Sequence, residues 1–457
     1  MSIHPAWKPL VPLVAALALV VTGASAGLAV GGHETEYKGI LAGAPYLVEI
    51  PRDWNGVLVL YSHGYVGPGR PSPAQDAPDE GTSGWLLAHG YAVAGSGYSQ
   101  TGWAVRNGIA SQLELLQAFR ARFGRPRAVI VWGESMGGLI TAALALNRSA
   151  GVAAALPMCG VLSGTTGFWD HALAVEYAFK TLLAPGSALR LVHISRPARN
   201  YSLAESILER AERTAAGRAR LALVGALAGI PGWFRTGSPP PSVTDLEAWQ
   251  AAQAAWESHP YLYFAFDLRA ELEARAGGNP SGDAGVDLDA TLASSAELPQ
   301  VTALYAAAGL DLAGDLARLR TGARITPDPR AAIYASRYGD VRGDLTVPVL
   351  TMHTTGDGLV QPGSELSFVE GLTGGRDLVR QLYVARAGHC SFTAAESLAA
   401  FRVLAGRLRT GRWGDLAPGF LDESARGLGP GENELSWPQV PASPAFVRYA
   451  PAPLAGA

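Results

Sequence analysis

The stretch AVIVWGESMGG at 128–138 decides the fold of this 457-residue chain. Five apolar residues lead into a Gly-x-Ser-x-Gly motif centred on Ser135, and an apolar, helix-like run follows. A serine on a sharp turn between a strand and a helix needs small neighbours two positions before and after it. Gly133 and Gly137 occupy those positions. The pattern predicts an exposed hydroxyl at Ser135, and it predicts that the N–H of Met136 opens a helix whose positive end favours a developing oxyanion.

This arrangement resembles the nucleophile elbow of the α/β-hydrolases, whose mostly parallel sheet carries helices on both faces. The resemblance covers the segments on either side of a long middle region. It implies a catalytic triad in the chain order serine, acid, histidine. A serine at the elbow argues against the dehalogenase and epoxide-hydrolase branches, which use an aspartate there, and no metal or organic cofactor is expected. The alternative is a chance Gly-x-Ser-x-Gly in a chain with 55 glycines.

Two later segments supply the candidate acid and base. The apolar run 347–353 leads into Asp357, in the loop after the strand that follows the middle region, where α/β-hydrolases commonly place the acid. An aspartate in a turn between two glycines is the structural alternative for this position, and Asp170 is the second candidate for the acid. The strand-like segment 377–384 leads to His389, which can act as general base and then as general acid.

The sequence also offers candidates for the second N–H group that stabilises the oxyanion. The apolar run VLVLY at 57–61 is followed after one serine by His63 and Gly64. In hydrolases of this fold, a His-Gly pair after the third strand supplies the second oxyanion N–H. We expect that donor to be Tyr65, with Gly64 as the alternative, because a glycine lets the backbone approach the substrate closely. His63 is interpreted as a residue that shapes the loop.

The chain contains two cysteines, Cys159 and Cys390. Cys159 ends the apolar run 152–158, and Cys390 directly follows the candidate base. Both points lie on the catalytic edge of the sheet in this fold, so we expect a disulfide in an oxidising compartment, with two free buried thiols as the alternative. The His-Cys pair is similar to tannases and fungal-type feruloyl esterases, but their partner cysteine lies beside the elbow serine. Here Glu134 and Met136 flank that serine.

The first 26 residues have the pattern of a secretory signal peptide. Lys8 gives a weakly positive start, 10–21 is largely apolar, and 24–26 offers small residues at the cleavage positions. An uncleaved membrane anchor is the alternative, although the apolar run is too short for a comfortable membrane span. We expect a secreted or periplasmic protein with no membrane span in its mature form.

Composition narrows the possible partners. Apolar residues make up 48% and charged residues 16% of the chain, which is typical of a globular enzyme. The net charge of −3 gives no basic surface for nucleic acid. No zinc-ligand spacing, phosphate-binding loop or dinucleotide fingerprint is found.

The sequence divides into five parts. The signal peptide at 1–26 is followed by the first part of an α/β-hydrolase core at 27–163. The middle region, 164–344, has long Ala-, Leu- and Arg-rich helical segments and is interpreted as an inserted helical cap. The second part of the core is expected at 345–410, and a tail rich in proline and glycine at 411–457.

These features predict a secreted serine hydrolase that cleaves a small or polymeric carboxylic ester through an acyl-enzyme intermediate. The same triad cleaves amides, and the large cap resembles that of secreted aminopeptidases, which hold the substrate's amino group with an acidic cap residue. Glu205, Glu209 and Asp245 are candidates for that role, against the ordinary one of solvated helix charges. A non-catalytic binding protein on the same fold is the alternative of a different class. The sequence does not indicate an oligomeric state.

Overall fold

A computed structural model describes residues 35–322, 324–436 and 439–454, so the segment interpreted as a signal peptide lies outside the described residues. Its strands are β1 Thr35–Leu41, β2 Ala44–Ile50, β3 Val57–Ser62, β4 Ala92–Ser96, β5 Ala128–Glu134, β6 Ala154–Met158, β7 Gly343–Asp344, β8 Val349–Gly356, β9 Leu372–Gly374, β10 Val379–Ala387, β11 Glu434–Ser436, β12 Gln439–Pro441 and β13 Phe446–Val447.

The α-helices are α1 Glu80–Ala88, α2 Val105–Phe123, α3 Met136–Leu146, α4 Gly164–Leu183, α5 Pro197–Glu212, α6 Ala215–Ala228, α7 Leu246–Trp256, α8 Arg269–Ala276, α9 Leu288–Ser294, α10 Leu298–Ala307, α11 Leu312–Thr321, α12 Pro329–Gly339, α13 Ser364–Gly371, α14 Ala394–Thr410 and α15 Pro418–Arg426. Two π-helical turns, Glu257–Tyr261 and Phe264–Leu268, lie between α7 and α8.

The main sheet has nine strands in the order β1-β2-β4-β3-β5-β6-β8-β10-β13. From β4 to β10 along this order, neighbouring strands are parallel. Strand β2 is antiparallel to β1 and β4, and β13 is antiparallel to β10. A mostly parallel sheet with this strand order and an antiparallel second strand is the α/β-hydrolase fold, so the predicted fold class is confirmed.

Helices cover both faces of this sheet. Helices α2 and α3 pack on one face, and α1 and α14 pack on the other. Every residue of β3, β4 and β6 is buried, which explains why their sequences are unbroken apolar or small-residue runs rather than alternating ones. The parallel strands therefore end at one common edge, where the loops after β3, β5, β6, β8 and β10 meet.

Between β6 and β8, the described chain contributes helices α4 to α12 and no strand of the main sheet. A buried ion pair joins two of its elements: Arg269 Nη2 lies 2.9 Å from Glu176 Oε1, and both side chains are fully buried. The pair is also hydrogen-bonded, since the Arg269 guanidinium donates to the Trp169 carbonyl and to Ser281. Without those partners, burying the charges would be costly.

The C-terminal tail, whose sequence shows no clear helical or strand period, contains regular elements in its described residues. It forms α15, which packs on α14, and β13, which extends the main sheet. Leu421 and Ala425, one helical turn apart, are buried, and Phe446 is buried with its N–H donating to Asp422 Oδ1 over 2.9 Å. Two buried positions in a nine-residue helix are too few to give a clear helical period.

None of the helices in the described part of the chain combines the length and apolar character that a membrane crossing requires.

Candidate active site

Ser135 lies at the turn between β5 and α3, with φ 57° and ψ −123°. A non-glycine residue at positive φ is strained and needs support from its surroundings. The turn packs tightly against the end of β3. A Cβ added to Gly133 would lie 2.4 Å from the Ser62 carbonyl oxygen, and one on Gly137 would lie 1.9 Å from the same atom. Larger residues at either position would therefore push the elbow away from the sheet.

The structure brings Ser135, His389 and Asp357 together. His389 Nε2 lies 2.8 Å from Ser135 Oγ, and His389 Nδ1 lies 2.7 Å from Asp357 Oδ2. The other carboxylate oxygen, Oδ1, accepts the N–H groups of Leu359 and Val360 at 2.9 and 3.0 Å. These distances suit transfer of the serine proton to the imidazole.

Asp357 is fully buried but is held in its ionised form. Burial alone would raise the pKa of its carboxyl group. Interactions with His389 and His353 outweigh that effect and lower the pKa of Asp357 to about 2. An ionised Asp357 accepts the Nδ1–H of His389, which leaves Nε2 to face the serine.

Asp170, the second candidate for the acid, lies in α4 and accepts the N–H of Gly282 at 2.8 Å. Burial is the main cause that raises the pKa of its carboxyl group to about 6. The geometry places Asp357, and not Asp170, on the imidazole of His389.

Several hydrogen bonds hold the loop that carries His389. The Gly388 N–H donates to the Gly356 carbonyl at 3.1 Å, and Thr354 Oγ1 donates to the Gly388 carbonyl at 2.6 Å. From the region between β6 and β8, Thr236 Oγ1 donates to the Ala387 carbonyl at 3.0 Å. The loop of His389 is therefore tied both to β8 and to the middle region.

The disulfide predicted between Cys159 and Cys390 is present, with a Cα–Cα distance of 5.3 Å. It joins the end of β6 to the base loop. Cys390 Sγ also lies 3.4 Å from His389 Nε2, on the edge of the imidazole that faces Ser135. Both cysteines have positive φ, 42° for Cys159 and 56° for Cys390.

Two of the candidate oxyanion donors, Met136 and Gly64, lie at the elbow. Met136 is the first residue of α3, and Gly64 lies so close that a Cβ on it would be 3.3 Å from Ser135 Cβ. His63 Nδ1 lies 2.7 Å from the Gly64 carbonyl oxygen, and the ring stacks on Tyr98 with a centroid distance of 4.0 Å. Burial lowers the pKa of His63, which favours a neutral ring that shapes this loop. The donor roles of Met136, Tyr65 and Gly64 stay predictions.

A cavity of about 580 Å³ lies beside His389. Its lining includes the aromatic pair Phe234 and Trp256, whose rings meet edge to face at 5.2 Å, together with Arg235 and Glu134. The cavity offers an apolar wall and polar groups next to the candidate base, as small-molecule sites commonly do.

Sequence reasoning missed two residues of this region. Glu134 lines the cavity and accepts a hydrogen bond from Tyr61 Oη at 3.3 Å, and burial raises the pKa of its carboxyl group to about 8. His353 lies behind Asp357, with its Nε2 3.4 Å from Asp357 Oδ2. A histidine inside the apolar strand VLTMHTT was a signal for the second residue, because a buried polar side chain needs partners.

Within the residues that the structure describes, no group of three or more histidine, cysteine, aspartate or glutamate side chains could hold a metal ion.

The proteins to which the chain is similar include hydrolases. No protein-family model matches the chain. The chain is 28% identical over 429 residues to o-phthalyl amidase from Xanthobacter agilis, and the match covers 84% of this chain and 89% of the amidase.

Two of the similar solved structures are esterases. Feruloyl esterase B from Aspergillus oryzae matches 84% of this chain and 82% of its own, with 10% identity and a TM-score of 0.41. The esterase Pf2001 from Pyrococcus furiosus matches 84% of this chain and 91% of its own, with 9% identity and a TM-score of 0.36.

Proposed function

We propose that this protein is a serine hydrolase that cleaves a carboxylic ester or amide through an acyl-enzyme intermediate. The observation that carries the proposal is the continuous hydrogen-bonded line from Ser135 Oγ to His389 Nε2 and from His389 Nδ1 to Asp357 Oδ2, at 2.8 and 2.7 Å. A nucleophile, a base and an orienting acid in this geometry are the parts that acyl transfer requires.

In the proposed reaction, Ser135 Oγ attacks the carbonyl carbon while His389 Nε2 takes the hydroxyl proton. The tetrahedral oxyanion is held by the N–H of Met136 and by that of Tyr65, with Gly64 as the alternative donor. As the bond to the leaving group breaks, His389 gives it the proton, and the acyl-enzyme remains. A water molecule then repeats the sequence, so the products are the acid and the alcohol or amine.

Ester cleavage is the first candidate, because an alcohol leaves with less help from the acid than an amine does. Amide cleavage is the second, and the observation that favours it is the 28% identity to an amidase across 84% of this chain. The aminopeptidase form of amide cleavage has less support. Asp245 caps α7 by accepting the Ala248 N–H at 3.1 Å, Glu209 is exposed on α5, and Glu205 of the same helix is half-buried.

A paired assay separates these candidates. The purified parent protein and Ser135→Ala are each assayed with an aryl ester and with the anilide of the same acyl group. We expect Ser135→Ala to lose activity on whichever substrate the parent cleaves. An anilide cleaved as fast as the ester assigns the protein to amidases, whereas no cleavage of either, across acyl groups of rising size, favours the non-catalytic binding protein.

We also propose that the protein is exported to the periplasm or the medium. The disulfide between Cys159 and Cys390 supports this, since such bonds persist in oxidising compartments. Fractionation of the producing cells tests the proposal, and recovery of the protein from the cytoplasm with both thiols free would contradict it.

A further inference from the structure

His353 belongs to strand β8 and is not among the residues that line the cavity beside His389. Its side chain is fully buried, as are those of Asp357 and Glu365. His353 Nδ1 lies 3.0 Å from Glu365 Oε1, on helix α13, and Nε2 lies 2.8 Å from the Val360 carbonyl oxygen. The same Nε2 lies 3.4 Å from Asp357 Oδ2, the oxygen that His389 contacts.

The acceptors around the ring determine where its protons lie. A carbonyl oxygen has no hydrogen to give, so Nε2 must donate to Val360. A second proton lies between His353 Nδ1 and Glu365 Oε1, which are 3.0 Å apart. Glu365 Oε2 is buried without a hydrogen-bond partner among the described residues, so the charge of this carboxylate depends on His353 for compensation.

The charged neighbours of His353 favour the protonated ring. Asp357 faces it from the acid loop and Glu365 from α13, while Tyr383 is its register partner on β10. Burial raises the pKa of Tyr383, which keeps that phenol neutral. Burial also lowers the pKa of His353, but the nearby carboxylates of Asp357 and Glu365 overcome this effect and raise it to about 10.

We propose that His353 is a positioning residue of the triad: a buried imidazolium that holds Asp357 ionised and aligned with His389, while Glu365 balances its charge. The inference rests on the proposed function, because His353 acts only through Asp357 and the base. It extends the line of contacting polar groups from Ser135, His389 and Asp357 to His353 and Glu365.

The cation has a direct consequence for the base. Without it, two buried carboxylates lie behind His389, and their negative charge stabilises the protonated imidazole in the resting enzyme. A protonated His389 cannot accept the serine proton. Loss of the charge on His353 therefore moves the acidic limb of the pH profile to higher pH.

The test measures the rate at which a fluorophosphonate labels Ser135 between about pH 5 and 9. The variants are His353→Gln, the double variant His353→Gln/Glu365→Gln, and the control His171→Gln, at a buried histidine of α4 whose Nε2 lies 3.0 Å from the Ala228 carbonyl oxygen. The glutamine amide can still donate near the position of Nε2 but carries no charge, so His353→Gln separates the charge from the hydrogen bond.

We expect His353→Gln to shift the acidic limb up by about one pH unit, which is about a tenfold slower labelling below the limb. The double variant removes the uncompensated carboxylate and should return the limb toward that of the parent, and His171→Gln should keep the parent limb. The proposal would be overturned if the acidic limb of His353→Gln lay at the same pH as that of the parent, or if its labelling rate fell only in proportion to the fraction of folded protein. It would also be overturned if the acidic limb of the double variant lay no closer to that of the parent than the limb of His353→Gln does. A parent protein that does not label at Ser135 contradicts the proposed function itself.

Discussion

At the scale of single residues, the triad geometry predicts a steep dependence on Ser135. Ser135→Ala should lower turnover on the order of 10⁶-fold, because the members of a triad act as a unit. The fold should be unaffected, since the side chain contributes little to the core. Turnover and thermal melting of the purified variant check both points, and near-parent turnover would remove Ser135 from the mechanism.

The acid can be tested with a matched pair of aspartates. Asp357→Asn should lower turnover on the order of 10⁴-fold, because the neutral amide no longer stabilises the imidazolium or fixes its tautomer. Asp170→Asn, in α4, should keep most of the parent turnover, since Asp170 bonds Gly282 and not the base. The reverse ranking in a steady-state assay would move the acid to α4.

The buried carboxyl group of Glu134 leads us to predict that catalytic activity depends on pH in the alkaline range. Burial raises the pKa of its carboxyl group to about 8, so Glu134 is neutral below that pH and ionises above it. The new negative charge next to Ser135 opposes formation of the oxyanion. The activity of the parent protein should fall above about pH 8, whereas Glu134→Gln should retain its activity there. Alkaline limbs of kcat/KM that are identical in the parent and in Glu134→Gln would contradict this prediction.

At the scale of elements, the disulfide ties the base loop to the end of β6. Closing a loop of 231 positions restricts the unfolded chain, for which the chain-entropy model gives on the order of 5 kcal/mol as an upper figure. Reduction should lower the melting temperature, and Cys159→Ser should have the same effect. Turnover should also fall, because a small displacement of the imidazole from the serine is costly.

The hydrogen bonds of Thr354 and Thr236 to the base loop limit how far it can drift after reduction. Some turnover should therefore survive at temperatures below the new melting point. A reduced protein with the melting temperature and turnover of the oxidised one would show that packing and hydrogen bonds alone hold the loop.

The elements differ in how well the sequence predicts them. The strands of the parallel sheet could be predicted, because burial on both faces of the sheet requires continuous apolar runs. The elbow could be predicted because the turn at Ser135 requires glycines on both sides. Helix α15 and strand β13 could not be predicted, since a short edge strand and a nine-residue helix have too few buried positions for a period. The contact between His353 on β8 and Glu365 on α13 could not be predicted, because a single sequence does not show which helix packs against which strand.

At the scale of the whole molecule, His353 predicts that stability declines at alkaline pH. Its pKa is about 10 in the folded protein, above the ordinary value of 6.5. The contribution of the protonated ring is therefore fully present below about pH 6.5 and is lost as pH rises through about 10. Denaturant unfolding across this range should show a falling free energy of unfolding, and His353→Gln should flatten the curve; parallel curves would argue against a folded-state imidazolium.

The arrangement of the molecule places every candidate group of the reaction at one edge of one sheet. Ser135 follows β5, Asp357 follows β8 and His389 follows β10, so parallel strands bring together residues that are far apart in sequence. The order of these residues along the chain was predictable from the fold family. The lining of the cavity was predictable only in part. Phe234 and Trp256 are aromatic residues of the region between β6 and β8 and so were candidates for an apolar pocket, but the sequence does not show which aromatic residues of that region line it.

Covalent labelling of the folded protein with a fluorophosphonate, followed by peptide mapping, tests directly whether Ser135 is an activated nucleophile. We predict one adduct, on Ser135, that is absent from Ser135→Ala and from the denatured parent protein. A folded parent protein that stays unlabelled, or that carries its adduct on another residue, would contradict this prediction.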